Sequence, residues 1–223
     1  MYSLSLPRSA RGLRSFTQAE ETAHSASHAL GAALALPGTV ALVAAAIAKG
    51  DALDVLGAAI FGAALAILFS ASAIYHGLRE PRAKRLMQTA DHDAIYVLIA
   101  GTYTPFCLTA LRGGSGLLVL GIIWALAGIG ITIRTVFPGR FRIPALACYL
   151  VMGWLVAFFF AELRSVADPR VTALLLAGGI AYSVGALVYV FESIPWFHTL
   201  WHVFVLAGAG CHFFSVLIML SSG

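Results

Sequence analysis

The chain has 223 residues, of which 60% are hydrophobic and only 11% charged. A soluble domain of ordinary composition carries about 25% charge, so a globule with a fully solvated surface is excluded. Fourteen Lys and Arg against ten Asp and Glu leave a net charge of +4, too small and too scattered to indicate nucleic-acid binding. In so apolar a chain the basic residues report membrane topology instead.

At roughly 20 apolar residues per crossing plus short connections, the length sets a ceiling of about seven or eight bilayer crossings. Residues 1–19 carry Arg8, Arg11 and Arg14, several serines and no acid. That segment weakly resembles an organelle transit peptide, but a short basic cytoplasmic tail is the simpler reading, and no signal-peptide core precedes the first long apolar run. Residues 20–223 read as a single domain. Its apolar runs follow in chain order at 29–48, 55–78, 94–111, 115–133, 144–161, 171–191 and 199–220. Each is near the length that crosses a hydrocarbon core about 30 Å thick as a helix, which satisfies its own backbone in lipid. The predicted fold is therefore all-α, an integral-membrane bundle of seven transmembrane helices. Between the third and fourth runs, Leu111-Arg112-Gly113-Gly114 allows only a tight turn, which predicts a helical hairpin. Cys107, Cys148 and Cys211 lie inside apolar runs without CxxC pairing and read as small core residues.

Counting basic residues in alternate connections puts ten on one side (Arg8, Arg11, Arg14, Arg79, Arg82, Lys84, Arg85, Arg134, Arg140, Arg142) and four on the other (Lys49, Arg112, Arg164, Arg170). The positive-inside rule then predicts a cytoplasmic N-terminus and, with seven spans, a C-terminus outside.

Ionisable groups are costly in a bilayer, so their positions carry the functional signal. Six of the seven histidines fall near span ends: His24, His28, His76, His92, His198 and His202. With the predicted topology all six lie at cytoplasmic helix ends, with Glu20, Glu21, Asp91, Asp93 and Glu192 in the same layer. His212 lies two to three turns deeper. His198 and His202 are at i and i+4, on one helix face, a chelating arrangement for a divalent metal that suits zinc. His76 is the natural third ligand, with Ser72 one turn before it. Asp91 and Asp93, placed at the start of the third span, are favoured there by the helix N-terminus, and Asp91 can orient a water or take its proton. Alone, an HxxxH pair also fits histidines that anchor a helix at the interface. Glu20, His24 and His28, spaced by fours, fit either an interfacial helix entry or a supporting layer of the metal site. Asp51, Asp54, Glu80, Asp168, Asp93 and Glu192 read as solvated end charges. No phosphate loop, HExxH zinc helix or GxSxG elbow occurs. A transporter would bring polar groups to mid-membrane, and only Pro105, Thr102, Thr104 and His212 approach that description.

Three motifs occur in order: Glu20, His24 and His28; Ser72 and His76 followed by Asp91; and His198-Thr199-Leu200-Trp201-His202. With the stretches from Asp91 to Phe106 and from Ile194 to Phe214, they closely resemble the hemolysin III branch of the progestin and adiponectin receptor (PAQR) superfamily, from about Glu20 to the C-terminus. The resemblance implies zinc held by His76, His198 and His202 near the cytoplasmic face, with a water near Asp91 and Ser72 beside it. The family pattern has Asn where this chain has His24, and commonly a small polar residue at Asp93. Members resemble membrane ceramidases in site and topology. The first expectation is thus a cell-membrane protein of lipid and fluidity homeostasis, hydrolysing a lipid amide or ester with zinc; a non-enzymatic sensor with structural zinc and a pore-former are the alternatives. Membrane lipids are the expected partners.

Overall fold

The apolar runs fold as helices. In the computed structural model, residues 15–137 and 141–222 are described; Arg8, Arg11, Arg14 and Arg140 lie outside the described residues. The elements are α1 (Gln18–Lys49), α2 (Ala52–Gly77), α3 (Pro81–Leu108), α4 (Gly116–Val136), α5 (Arg142–Gly153), a 3₁₀ segment (Trp154–Phe158), α6 (Phe160–Val166), α7 (Pro169–Val190) and α8 (Phe197–Ser221). No strand occurs among the described residues. Turns over residues 109–115 join α3 to α4 as the expected hairpin, and all three cysteines are free thiols.

The protein is an all-α, multi-pass membrane bundle. Among the described residues, five helices (α1, α2, α4, α7 and α8) are long and apolar enough to cross a membrane, and six if α5 and α6 form one span bent by 54°. The remaining predicted span, α3, falls short of that composition because its first half is polar and Thr102, Thr104 and Pro105 interrupt its second. Enclosure explains how it can do so. Every residue from Ala100 to Leu108 is buried, so this stretch needs no lipid-facing surface. The Thr102 and Thr104 hydroxyls donate back to the carbonyls of Leu98 and Ala100, at 2.8 and 2.9 Å.

Helix boundaries correct two sequence expectations. First, α3 starts at Pro81, capped by Glu80, whose carboxylate accepts from the N–H groups of Arg82 and Ala83. Asp91 and Asp93 therefore lie in the interior of the helix, and its N-terminal dipole does not act on them. Second, several supposed solvated end charges have partners. Asp51 and Asp168 cap α2 and α7. Asp54 is buried, 3.2 Å from Lys49 Nζ and accepting from Thr109 Oγ1 at 2.6 Å.

The end of α5, ahead of the bend at Phe159, is interrupted by a side chain from α3. Tyr103 inserts its hydroxyl between the Val156 N–H, which it accepts at 2.8 Å, and the Met152 carbonyl, to which it donates at 2.9 Å. Those two backbone groups are i and i+4 partners of a regular helix, so the hydroxyl takes the place of a ladder bond. The chain continues as a 3₁₀ turn before α6.

In the half of the bundle that holds the polar layer, α1 packs on both α2 and α8. Gly31 makes this approach possible: a Cβ there would meet Phe69 Cδ1 of α2 at 2.6 Å and Leu206 Cδ2 of α8 at 2.9 Å. Both neighbours are held in the packed interior, so room for a side chain requires the helices to part. Gly31→Val is expected to destabilise the protein by about 1–3 kcal/mol, the usual cost of overpacking. Thermal unfolding in detergent checks this, and an unchanged midpoint would show that the three helices separate freely.

Candidate metal centre

The N-terminus of α1, the C-terminus of α2 and the N-terminus of α8 meet at one end of the bundle and bring five imidazoles together. His24, His76 and His198 form a group whose available nitrogens all lie within 4.8 Å of one another, a spacing that can hold a metal ion. His24 and His76 are buried and His198 is 9% exposed. His202 joins them, its ring centroid 5.2 Å from His24, 5.1 Å from His76 and 4.9 Å from His198. His28 stacks on His202 at 3.7 Å and meets the edge of Phe69. Phe16, just before α1, packs against His24 and His198 at 4.8 and 4.9 Å and covers the group.

Hydrogen bonds orient three of the rings. His76 Nδ1–H donates to Glu21 Oε2 at 2.7 Å, and His198 Nδ1–H donates to Glu192 Oε2 at 3.0 Å. The Ser27 hydroxyl donates to the His24 carbonyl at 2.8 Å, which leaves its oxygen to accept from His202 Nδ1 at 3.1 Å. The same Nδ1 lies 3.2 Å from that carbonyl, and a carbonyl can only accept. Each Nδ1 therefore carries the hydrogen, and in the neutral ring the lone pair sits on Nε2. Metal-binding histidines are held in this way, by an acceptor on the second nitrogen. His76 Nε2 is buried without a hydrogen-bond partner, as are both nitrogens of His24 and of His28. Buried polar atoms are rarely left unpaired in proteins, and a cation among His24, His76 and His198 would take up one ring lone pair from each. The donor set, neutral imidazole, suits zinc.

Surrounding charges reach further than the sequence expected. Glu192, read there as a solvated end charge, bridges His198 and Arg142, the latter at 2.6 Å. Glu21 likewise joins His76 to Lys84 Nζ, 2.9 Å away. Glu20 is buried. It completes the α1 capping box with Thr17 and accepts from the Trp196 N–H at 2.9 Å; Trp196, at φ 69°, is the non-glycine residue with left-handed backbone among the described residues. Asp91 lies beside the Ser72 hydroxyl, within the electrostatic reach of His198. His92 turns away from the group, with Nδ1 2.6 Å from Arg134 Nη2. Asp93 also faces Arg134, with Nε at 3.6 Å. His212 is separate, its Nε2 donating to the Leu175 carbonyl at 3.1 Å.

The profile of the haemolysin-III related family matches residues 16–213. The chain belongs to that family. The haemolysin-III related chain is 41% identical to Hemolysin-3 of Bacillus cereus over 198 residues, covering 89% of this chain and 90% of that one. It is also 41% identical to the Hemolysin-3 homolog of Bacillus subtilis over 202 residues, 91% and 95% of the two chains. A more distant similarity, 24% over 172 residues, reaches the human monocyte to macrophage differentiation factor, covering 74% of this chain and 71% of that one. These relatives agree with the family recognised from the sequence motifs, and the bacterial ones imply the plasma membrane.

Sequence reading put Glu21 in the histidine layer of this haemolysin-III related site without its partners, and did not single out Ser27 or Phe16. Each acts across helices, where periodicity along one helix carries no information. Glu21→Gln is expected to weaken metal binding about 10- to 100-fold, because the acceptor behind His76 becomes a weaker one. Competition against a chelator of known affinity measures it, and unchanged binding would remove Glu21 from the centre.

Proposed function

We propose that the protein hydrolyses a lipid amide or ester with a zinc ion held by His76, His198 and His202, near the cytoplasmic face, and thereby serves membrane-lipid homeostasis. The observation that carries this reading is the shared orientation of the three rings, each with Nδ1 on an acceptor and its Nε2 lone pair left over. His24 stands among them with neither nitrogen oriented, which fits a residue that contacts the reacting groups better than a fixed ligand. Zinc bound there would supply Lewis acidity toward a carbonyl and acidify a water. Asp91, with Ser72 beside it, would be the residue that takes up the proton of the attacking water and returns it to the leaving nitrogen or oxygen. Water is consumed, and a fatty acid with an amine or alcohol is formed.

Two measurements test the reading. His202→Ala is expected to abolish stoichiometric zinc while His24→Asn keeps it; the reverse outcome assigns the third ligand to His24. With zinc retained, Asp91→Asn is expected to lower fatty-acid release from lipid amides and esters in nanodiscs by on the order of 10²-fold or more, the usual contribution of a general base. Zinc-loaded wild type that releases nothing, and leaves cellular lipids unchanged when the gene is removed, would instead give the metal a structural or sensing role.

A further inference from the structure

Where α2 turns into α3, a cavity of about 310 Å³ opens among Tyr75, Arg79, Pro81, Lys84, Arg85 and Gln88. It shares no residue with the histidine group. Its cations differ in what they already bind. The Lys84 ammonium faces three acceptors, Glu21 Oε1 at 2.9 Å and the carbonyls of Tyr75 and Leu78 at 3.3 Å each, and lies over the Tyr75 ring. With three N–H groups it has none to spare, so it forms a wall of the cavity. Arg79 and Arg85 are exposed and, among the described residues, their guanidinium groups make no hydrogen bond or ion pair. The adjacent acid, Glu80, is turned onto the α3 backbone as its cap, and Arg85 feels only its field. The Tyr75 hydroxyl accepts from Gln88 Nε2 at 3.0 Å and keeps its own hydrogen to donate.

Two free guanidinium groups and a phenol donor around a concave space are a recognition set for phosphate, whose oxygens match the planar fork of arginine. The cavity is large enough for a headgroup, at the lower end of ligand pockets. Apolar flanks favour a lipid as its source. Ile74 and Leu86, the chain neighbours of Tyr75 and Arg85, are 49% and 71% exposed, as side chains in contact with acyl chains would be. Basic residues at a helix end beside a bilayer attract anionic lipids in any case; here they also surround a space that can hold one.

We propose that this cavity binds the phosphate of an anionic phospholipid through Arg79, Arg85 and Tyr75. Full-length protein is compared by native mass spectrometry for retained phosphatidylglycerol and phosphatidylcholine, with inorganic phosphate alone as a second probe. Wild type is expected to retain phosphatidylglycerol preferentially, Arg79→Gln/Arg85→Gln to lower that retention about tenfold, and the charge-matched Arg164→Gln/Arg170→Gln pair to keep it. Equal loss in both pairs reveals general charge attraction and overturns the site, as does retention that ignores Arg79 and Arg85. Inorganic phosphate bound with the same arginine dependence, without phosphatidylglycerol, would overturn the lipid assignment and make the cavity a site for free phosphate.

Discussion

The contact of α1 with α2 and α8 at Gly31 is the constraint on which the polar end of this bundle depends. In lipid, apolar surface gives no reason for helices to associate, so close packing of small residues has to supply it. Gly31 is seven residues after His24, while Phe69 is seven before His76 and Leu206 eight after His198. This close approach of the three helices thus lies about two turns from His24, His76 and His198, and about one turn from His28 and His202. A wider separation there would carry the rings out of mutual reach without altering any of them.

Once the rings are close, their second nitrogens decide what the cluster can do. Five buried or nearly buried imidazoles would be an unfavourable arrangement if every nitrogen lacked a partner. Glu21, Glu192 and the Ser27–His24 carbonyl pair relieve that for His76, His198 and His202. These acceptors come from α1 and from the turn before α8, and two of them are tied onward to cations, Lys84 and Arg142. The lone pairs that remain therefore belong to rings whose tautomer and direction are set before any ligand arrives.

Much of this was legible in the sequence, and the gaps have physical reasons. Each predicted apolar run falls on helical chain, five or six of them long and apolar enough to cross a membrane among the described residues, and an i, i+4 pair on α8 with a histidine at the end of α2 located the histidine layer. The polar start of α3, residues 81–93, lay outside the predicted apolar run although it continues the same helix, because exposed and half-buried positions there need not be apolar. Asp54 and Glu192 were misread because an acid near a helix end looks solvated until its cross-helix partners, Lys49 and Thr109 or Arg142 and His198, are known. The end of α5 left no mark in its own sequence, since the group that interrupts its hydrogen-bond ladder, the Tyr103 hydroxyl, belongs to α3.

The Glu20 carboxylate closes the start of α1 with one oxygen and holds the Trp196 N–H with the other. Helices in a bilayer tilt as its thickness changes, and separate helices would tilt by different amounts. A single carboxylate shared by the ends of α1 and α8 makes the two respond as one lever. The tie lies one turn before His24 and two residues before His198, so it fixes the ends of the two helices beside the rings themselves.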